Sequence, residues 1–132
     1  MTQTAWAHLP NAKHIDWVLA SVKEHPEMWA AAWTAVWYAI WDAAYGAAID
    51  AARGEAREVA WYAARNAVWD AAGDAVWNAA DDAIVALVAY DDCAYMIESE
   101  VGELKIITKL GDQRAILLLP ACIAYNGTKV LV

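Results

Sequence analysis

Basic residues are scarce in this chain, nine lysines and arginines against seventeen acids, and the formal charge is -8. The resulting field repels nucleic-acid backbone and anionic lipid head groups, which argues against duplex binding and against electrostatic docking to a membrane. Cysteine is nearly missing as well. Cys93 and Cys122 are the two present, and neither belongs to a CxxC or Cys/His pattern, so both read as reduced, buried thiols. The three histidines, His8, His14 and His25, lie six and eleven residues apart and put no two ligands on one helical face. No metal and no cofactor is expected.

Long hydrophobic runs are also missing. The longest nearly apolar stretches, Met28 to Trp41 and Ala115 to Tyr125, fall short of the ~20 residues that cross a bilayer. Met1 to Pro10 has neither a basic start nor a small-residue cleavage site, so no secretory signal is read there and a cytoplasmic location is expected. GxGxxG, GxxxxGK[ST], HExxH, GxSxG and EF-hand patterns are all absent, which weakens the case for an enzyme.

What is present is alanine and tryptophan. Apolar residues make up 61% of the 132, against about half in an ordinary domain, and much of the excess is alanine, the strongest helix former. Every fourth residue from Trp29 reads Trp29, Trp33, Trp37, Trp41, Tyr45, Ile49, Arg53, Arg57, Trp61, Arg65, Trp69, Gly73, Trp77, Asp81, Val85, Ala89. The unit is a large residue, a polar residue, then two of Ala, Val or Ile. A period of four advances the large side chain by about 40° per repeat around an α-helix, so one straight helix cannot keep such a stripe buried.

The main break is expected at Gly54, where apolar residues thin out. The predicted fold is an all-α helical bundle forming a single domain over 1–132. A first helix spans 11–24, with Asn11 as its cap. Two long Ala/Trp-rich helices over 26–52 and 55–95 pair antiparallel, the second bending near Gly73. Two shorter helices fill 99–126, the first stopped by a left-handed cap at Gly111, the second capped by Asp112 and bent at Pro120. Tryptophans then fill the grooves beside alanine-lined helix contacts.

Two sets of residues invite a chemical reading. The acids Asp70, Asp74, Asp81 and Asp82 suggest magnesium binding or acid/base work, but Asp70, Asp74 and Asp82 occupy the polar slot of the repeat, which points to a solvated face. Asp91 and Asp92 interrupt an apolar stretch, which points to partial burial and keeps a carboxylate enzyme among the alternatives. The second set is the densest positive patch, Arg53, Arg57 and Arg65 around Trp61. With Trp69, these residues form a candidate ligand site for a small anionic nucleotide, since guanidinium groups bind phosphate and indoles stack on bases. The competing expectation pairs the same arginines with nearby acids.

The segments Leu9-Pro10-Asn11-Ala12 with His14-Ile15-Asp16, the Trp-x-Ala-Ala tetrads, Ala89-Tyr90-Asp91-Asp92-Cys93 and Ala115 to Pro120 together resemble a group of small phage and prophage proteins over nearly the whole chain. No activity or site is carried over by that resemblance. It implies a phage accessory product in the host cytoplasm that binds a host component. The Trp/Arg face and the missing catalytic motifs add the expectation of a non-enzymatic protein that engages a host protein or sequesters a small anionic nucleotide-type ligand, with countering host defence as one such role. The alternative expectation is a structural or assembly protein whose excess apolar surface is covered in a homo-oligomer.

Overall fold

A computed structural model describes residues 4–33, 38–72 and 74–129 and, among these, every regular element is helical. The order is α1 (Ala12–Glu24), α2 (Pro26–Trp33), α3 (Tyr38–Ala51), α4 (Glu55–Ala72), α5 (Asp74–Ala89), a 3₁₀ turn (Ala94–Glu98), α6 (Val101–Lys109) and α7 (Gln113–Lys129). None of these helices is long and apolar enough to cross a membrane.

The centre is α5, which packs against α1, α2, α3, α4 and α7. From Ala79 to Val88 it has no exposed side, the pattern of a helix surrounded by others. Its alanines, Ala79, Ala80, Ala83 and Ala86, and those facing it from neighbouring helices, such as Ala64, are buried. Small side chains at helix contacts allow short interaxial distances. Ile84, Leu87, Leu117 and Leu118 supply the bulk between α5 and α7.

The long-helix expectation is corrected here. The stretch 55–95 is two helices and a 3₁₀ turn, and α4 and α5 run antiparallel. Arg57 meets Val88, Arg65 lies over Trp77, and Trp69 packs edge-on to Trp77, pairings that require the chain to reverse between them. Gly73 itself lies outside the described residues. The stretch 26–52 appears as α2 and α3, and Trp37 is among the residues between them that are not described. The expected pairing of 26–52 with 55–95 is kept in part, since α2 and α3 both pack on α5, and both pack on α7 as well. The predicted turn at Gly54 is present, with φ +140.

The end of α5 explains several sequence features at once. Its last carbonyls have no partner within the helix and need donors from elsewhere. Asn11 stands at the N-cap position of α1 without a capping bond of its own. Instead its buried amide donates to Leu87 O at 2.9 Å and Tyr90 O at 2.7 Å. Cys93 Sγ donates to Ala86 O at 3.5 Å, and Arg57 to Val88 O. Both cysteines are buried thiols outside any disulfide, and burial pushes the Cys93 thiol up to about 12.

The junction of α6 and α7 follows the sequence closely. Gly111 adopts φ +88, and the bonds from Gly111 N to Thr108 O and Asp112 N to Ile107 O close a Schellman motif. Asp112 Oδ1 accepts from Arg114 N at 2.9 Å and Ala115 N at 3.2 Å, capping α7.

Asn11→Ala removes two donors from the closed end of α5 and is expected to cost about 2 kcal/mol in urea unfolding. Asn11→Asp is expected to cost more, because a carboxylate accepts only and faces the negative end of the helix.

Candidate functional site

Two adjacent carboxylates sit inside α5. Asp81 and Asp82 are each 1% exposed, the reverse of the solvated face that the polar slot suggested for Asp82. The reason is the position of α5 in the bundle. With neighbours all around it, the slot that faces water on a peripheral helix faces protein here.

Their partners come from α3 and α4. Tyr45 donates its hydroxyl to Asp81 Oδ2, Trp61 Nε1 donates to Asp81 Oδ1 at 2.9 Å, and Arg65 Nε stands 3.7 Å from the same oxygen. Trp41 Nε1 donates to Asp82 Oδ2 at 2.8 Å, while Asp82 Oδ1 is buried without a hydrogen-bond partner. Trp41 and Tyr45, one turn apart on α3, stack with centroids 5.0 Å apart. The Arg65 guanidinium lies over two indoles, 5.0 Å from Trp61 and 4.6 Å from Trp77. Aromatic faces attract a cation held in this way.

Burial pushes both carboxyls above the ordinary range. It is opposed at Asp81 by Tyr45, Trp61 and Arg65, and at Asp82 by Trp41, with the neighbouring Asp81 charge raising Asp82 further. Burial and the Asp81 charge push the Tyr45 hydroxyl up as well, so it remains a donor. The cluster is an internal ion pair with aromatic donors, and its carboxylates present almost no surface to a substrate.

The predicted arginine-tryptophan patch is divided among separate tasks. Arg53 is exposed and pairs with Asp50 at 3.3 Å. Arg57 reaches the far end of α5 and forks onto Asp91 at 2.9 and 3.2 Å. Trp61 and Arg65 do come together, but around Asp81. Trp69 is 51% exposed, its edge against Trp77 at 6.3 Å. The arginines thus have acidic partners within the protein. Asp91 and Asp92, expected to be partly buried, are exposed and paired with Arg57 and Arg114.

Two other features complete the surface. Lys13, His14, Trp17, Ile97, Glu98 and Tyr125 line a cleft of about 190 Å³, with His14 Nε2 3.0 Å from Glu98 Oε2. On α4, Val59, Tyr62 and Trp69 are 55%, 49% and 51% exposed. Among the described residues, no group of three or more His, Cys, Asp or Glu is placed to hold a metal ion.

An acid whose folded-state pKa lies above its unfolded value binds its proton more tightly when folded. The stability this gives is complete below the ordinary carboxylate range and is lost as pH rises through the raised value. Denaturant unfolding across pH 5 to 9 is expected to show stability falling with pH, and Asp82→Asn is expected to flatten that fall. Asp81→Ala, which leaves Arg65 without its counter-charge, is expected to cost about 3 kcal/mol at neutral pH.

No known protein family matches the chain, and neither characterised proteins nor solved structures give a significant match. Function is therefore argued from the chain's own surface.

Proposed function

We propose that this chain is a non-enzymatic binding protein whose working surface is the outer face of α4, and that its partner is a host protein met by a phage accessory product in the bacterial cytoplasm. The observation that carries this reading is the row Val59, Tyr62 and Trp69, each about half exposed on a helix whose opposite side is packed against α1 and α5. Large aromatic side chains of this kind supply much of the binding energy at protein interfaces. Here they are held ready: Tyr62 stacks on Trp61 at 5.1 Å, and Trp69 rests edge-on against Trp77. Rings already fixed by their neighbours lose little freedom when a partner covers them.

Sequestration of a small anion is less well supported. Arg57 and Arg65, the arginines such a site needs, already have Asp91 and Asp81 as counter-charges. Self-association remains a second reading, favoured by Ile106 and Leu110, 61% and 81% exposed one turn apart at the end of α6.

Tagged wild-type protein is expected to retain a host protein that Tyr62→Ala/Trp69→Ala loses, with the free energy of unfolding unchanged to within about 0.5 kcal/mol for each such surface substitution. Thermal-shift measurements with nucleoside mono-, di- and triphosphates are expected to show no stabilisation. A nucleotide shift abolished by Arg65→Ala would reverse the preference between these readings.

A further inference from the structure

We propose that the cleft between α1, the 3₁₀ turn and α7 is a binding site for a small aromatic acid, a single planar ring carrying one carboxylate. Its walls are Lys13, His14 and Trp17 from α1, Ile97 and Glu98 from the turn, and Tyr125 from α7. None of these residues belongs to α4, so the site stands or falls apart from the reading of α4 as a protein-binding face.

Contacts behind the walls keep the cleft in shape. Trp17 packs on Trp29 with centroids 5.9 Å apart, and Trp29 is fully buried with its Nε1 donating to Ser21 Oγ at 2.8 Å. His14 Nε2 and Glu98 Oε2, 3.0 Å apart, tie α1 to the turn. Ile97, fully buried, supplies the floor. Walls already fixed in this way leave little to order when a ligand enters.

Size and lining define the ligand. The cleft holds about 190 Å³. A cavity of about 150 Å³ engineered in another protein takes up benzene, and sites for drug-sized molecules begin at about 300 Å³. One ring with a short substituent therefore fits, and a nucleotide does not. Trp17 and Tyr125 stand at 66° to each other with centroids 5.7 Å apart. A flat ring laid against one of them meets the other edge-on, and aromatic pairs favour both arrangements.

Charge at the rim favours an acid over an amine. Glu98 is the one carboxylate of the cleft and is already engaged by His14. Lys13 is exposed and, among the described residues, has no acid within ion-pair distance. Lys13 and Trp17 are four residues apart on α1 and so share one face of the helix. A ring seated on Trp17 with its carboxylate a short linker away reaches the Lys13 ammonium.

The test is an NMR titration of the full chain, following backbone amide signals, with 3-phenylpropionate, 3-phenylpropionamide, 3-phenylpropylamine and hexanoate as probes. The aromatic acid is expected to shift signals at Lys13, Trp17, Ile97 and Tyr125 with a Kd on the order of 1 mM. The amide is expected to bind about threefold more weakly, the worth of one exposed ion pair. Hexanoate, which has the acid and no ring, is expected to bind more weakly than 3-phenylpropionate. Lys13→Met, at an exposed position, is expected to bind acid and amide equally, a change that a merely structural role for Lys13 would not produce. Tyr62→Ala/Trp69→Ala is expected to bind the aromatic acid as wild type does, whatever it does to host-protein capture. The proposal is overturned if 3-phenylpropionate produces no shifts at the cleft, or if the amine binds more tightly than the acid. It is equally overturned if hexanoate matches the aromatic acid, or if Lys13→Met keeps the preference for acid over amide.

Discussion

Two carboxylates within the stretch of α5 that has no exposed side, Ala79 to Val88, impose the strongest condition on this fold. An unpaired charge in such a place costs several kcal/mol, so the surrounding helices must bring donors to it. Trp41 and Tyr45 come from α3, and Trp61 and Arg65 from α4. These contacts hold only when α4 reverses onto α5 in one register and α3 crosses at one height. A slide by one turn would put Arg57 or Arg65 in the place of Trp61, and Trp41 or Ile49 in the place of Tyr45, and so change the donors each carboxylate meets. Replacing such a pair with apolar residues is often neutral or stabilising in other proteins, so the cluster's contribution is better sought in choosing one arrangement than in raising stability.

The same condition gives the tryptophans a second task. Alanine-lined contacts bring helix backbones close, which leaves little room for indoles between them and moves the rings to the edges of each contact. At those edges an indole N–H can reach a buried acceptor while its face covers the neighbouring helix. Trp29 does this with Ser21 Oγ at 2.8 Å, Trp41 with Asp82 and Trp61 with Asp81. Groove filling alone does not account for them.

Much of this was legible in the amino-acid order, because helix formation, capping and glycine turns are local matters. The all-α class, the turn at Gly54, the Schellman end at Gly111 and the Asp112 cap all follow from residues within a few positions of each other. Which helix lies in the centre is not local. The four-residue repeat runs through α2, α3, α4 and α5 without a change of register, yet it is surface on one and core on another, so the polar slot misplaced Asp82. One signal did exist. Asp81 is the one acid in a slot that otherwise holds Trp, Tyr, Arg, Gly or an aliphatic residue, and a lone carboxylate among such residues marks a candidate for burial. Asp91 and Asp92 misled in the opposite sense. They follow α5 immediately, in the turn where its axis reaches the surface, and the apolar residues around them belong to the next element.

The placement of charge also decides what remains for the surface to do. Arg57 is drawn to the carbonyl end of α5, Arg65 to Asp81 and Arg114 to Asp92 and Asp112. Each of these cations is held inside an internal pair, so an excess of acid remains on the outside, and the outer flanks of α4 carry Glu58 and Asp70 beside bare aromatic rings. A surface of that kind selects by charge and anchors by rings, and those two properties come from different parts of an interface.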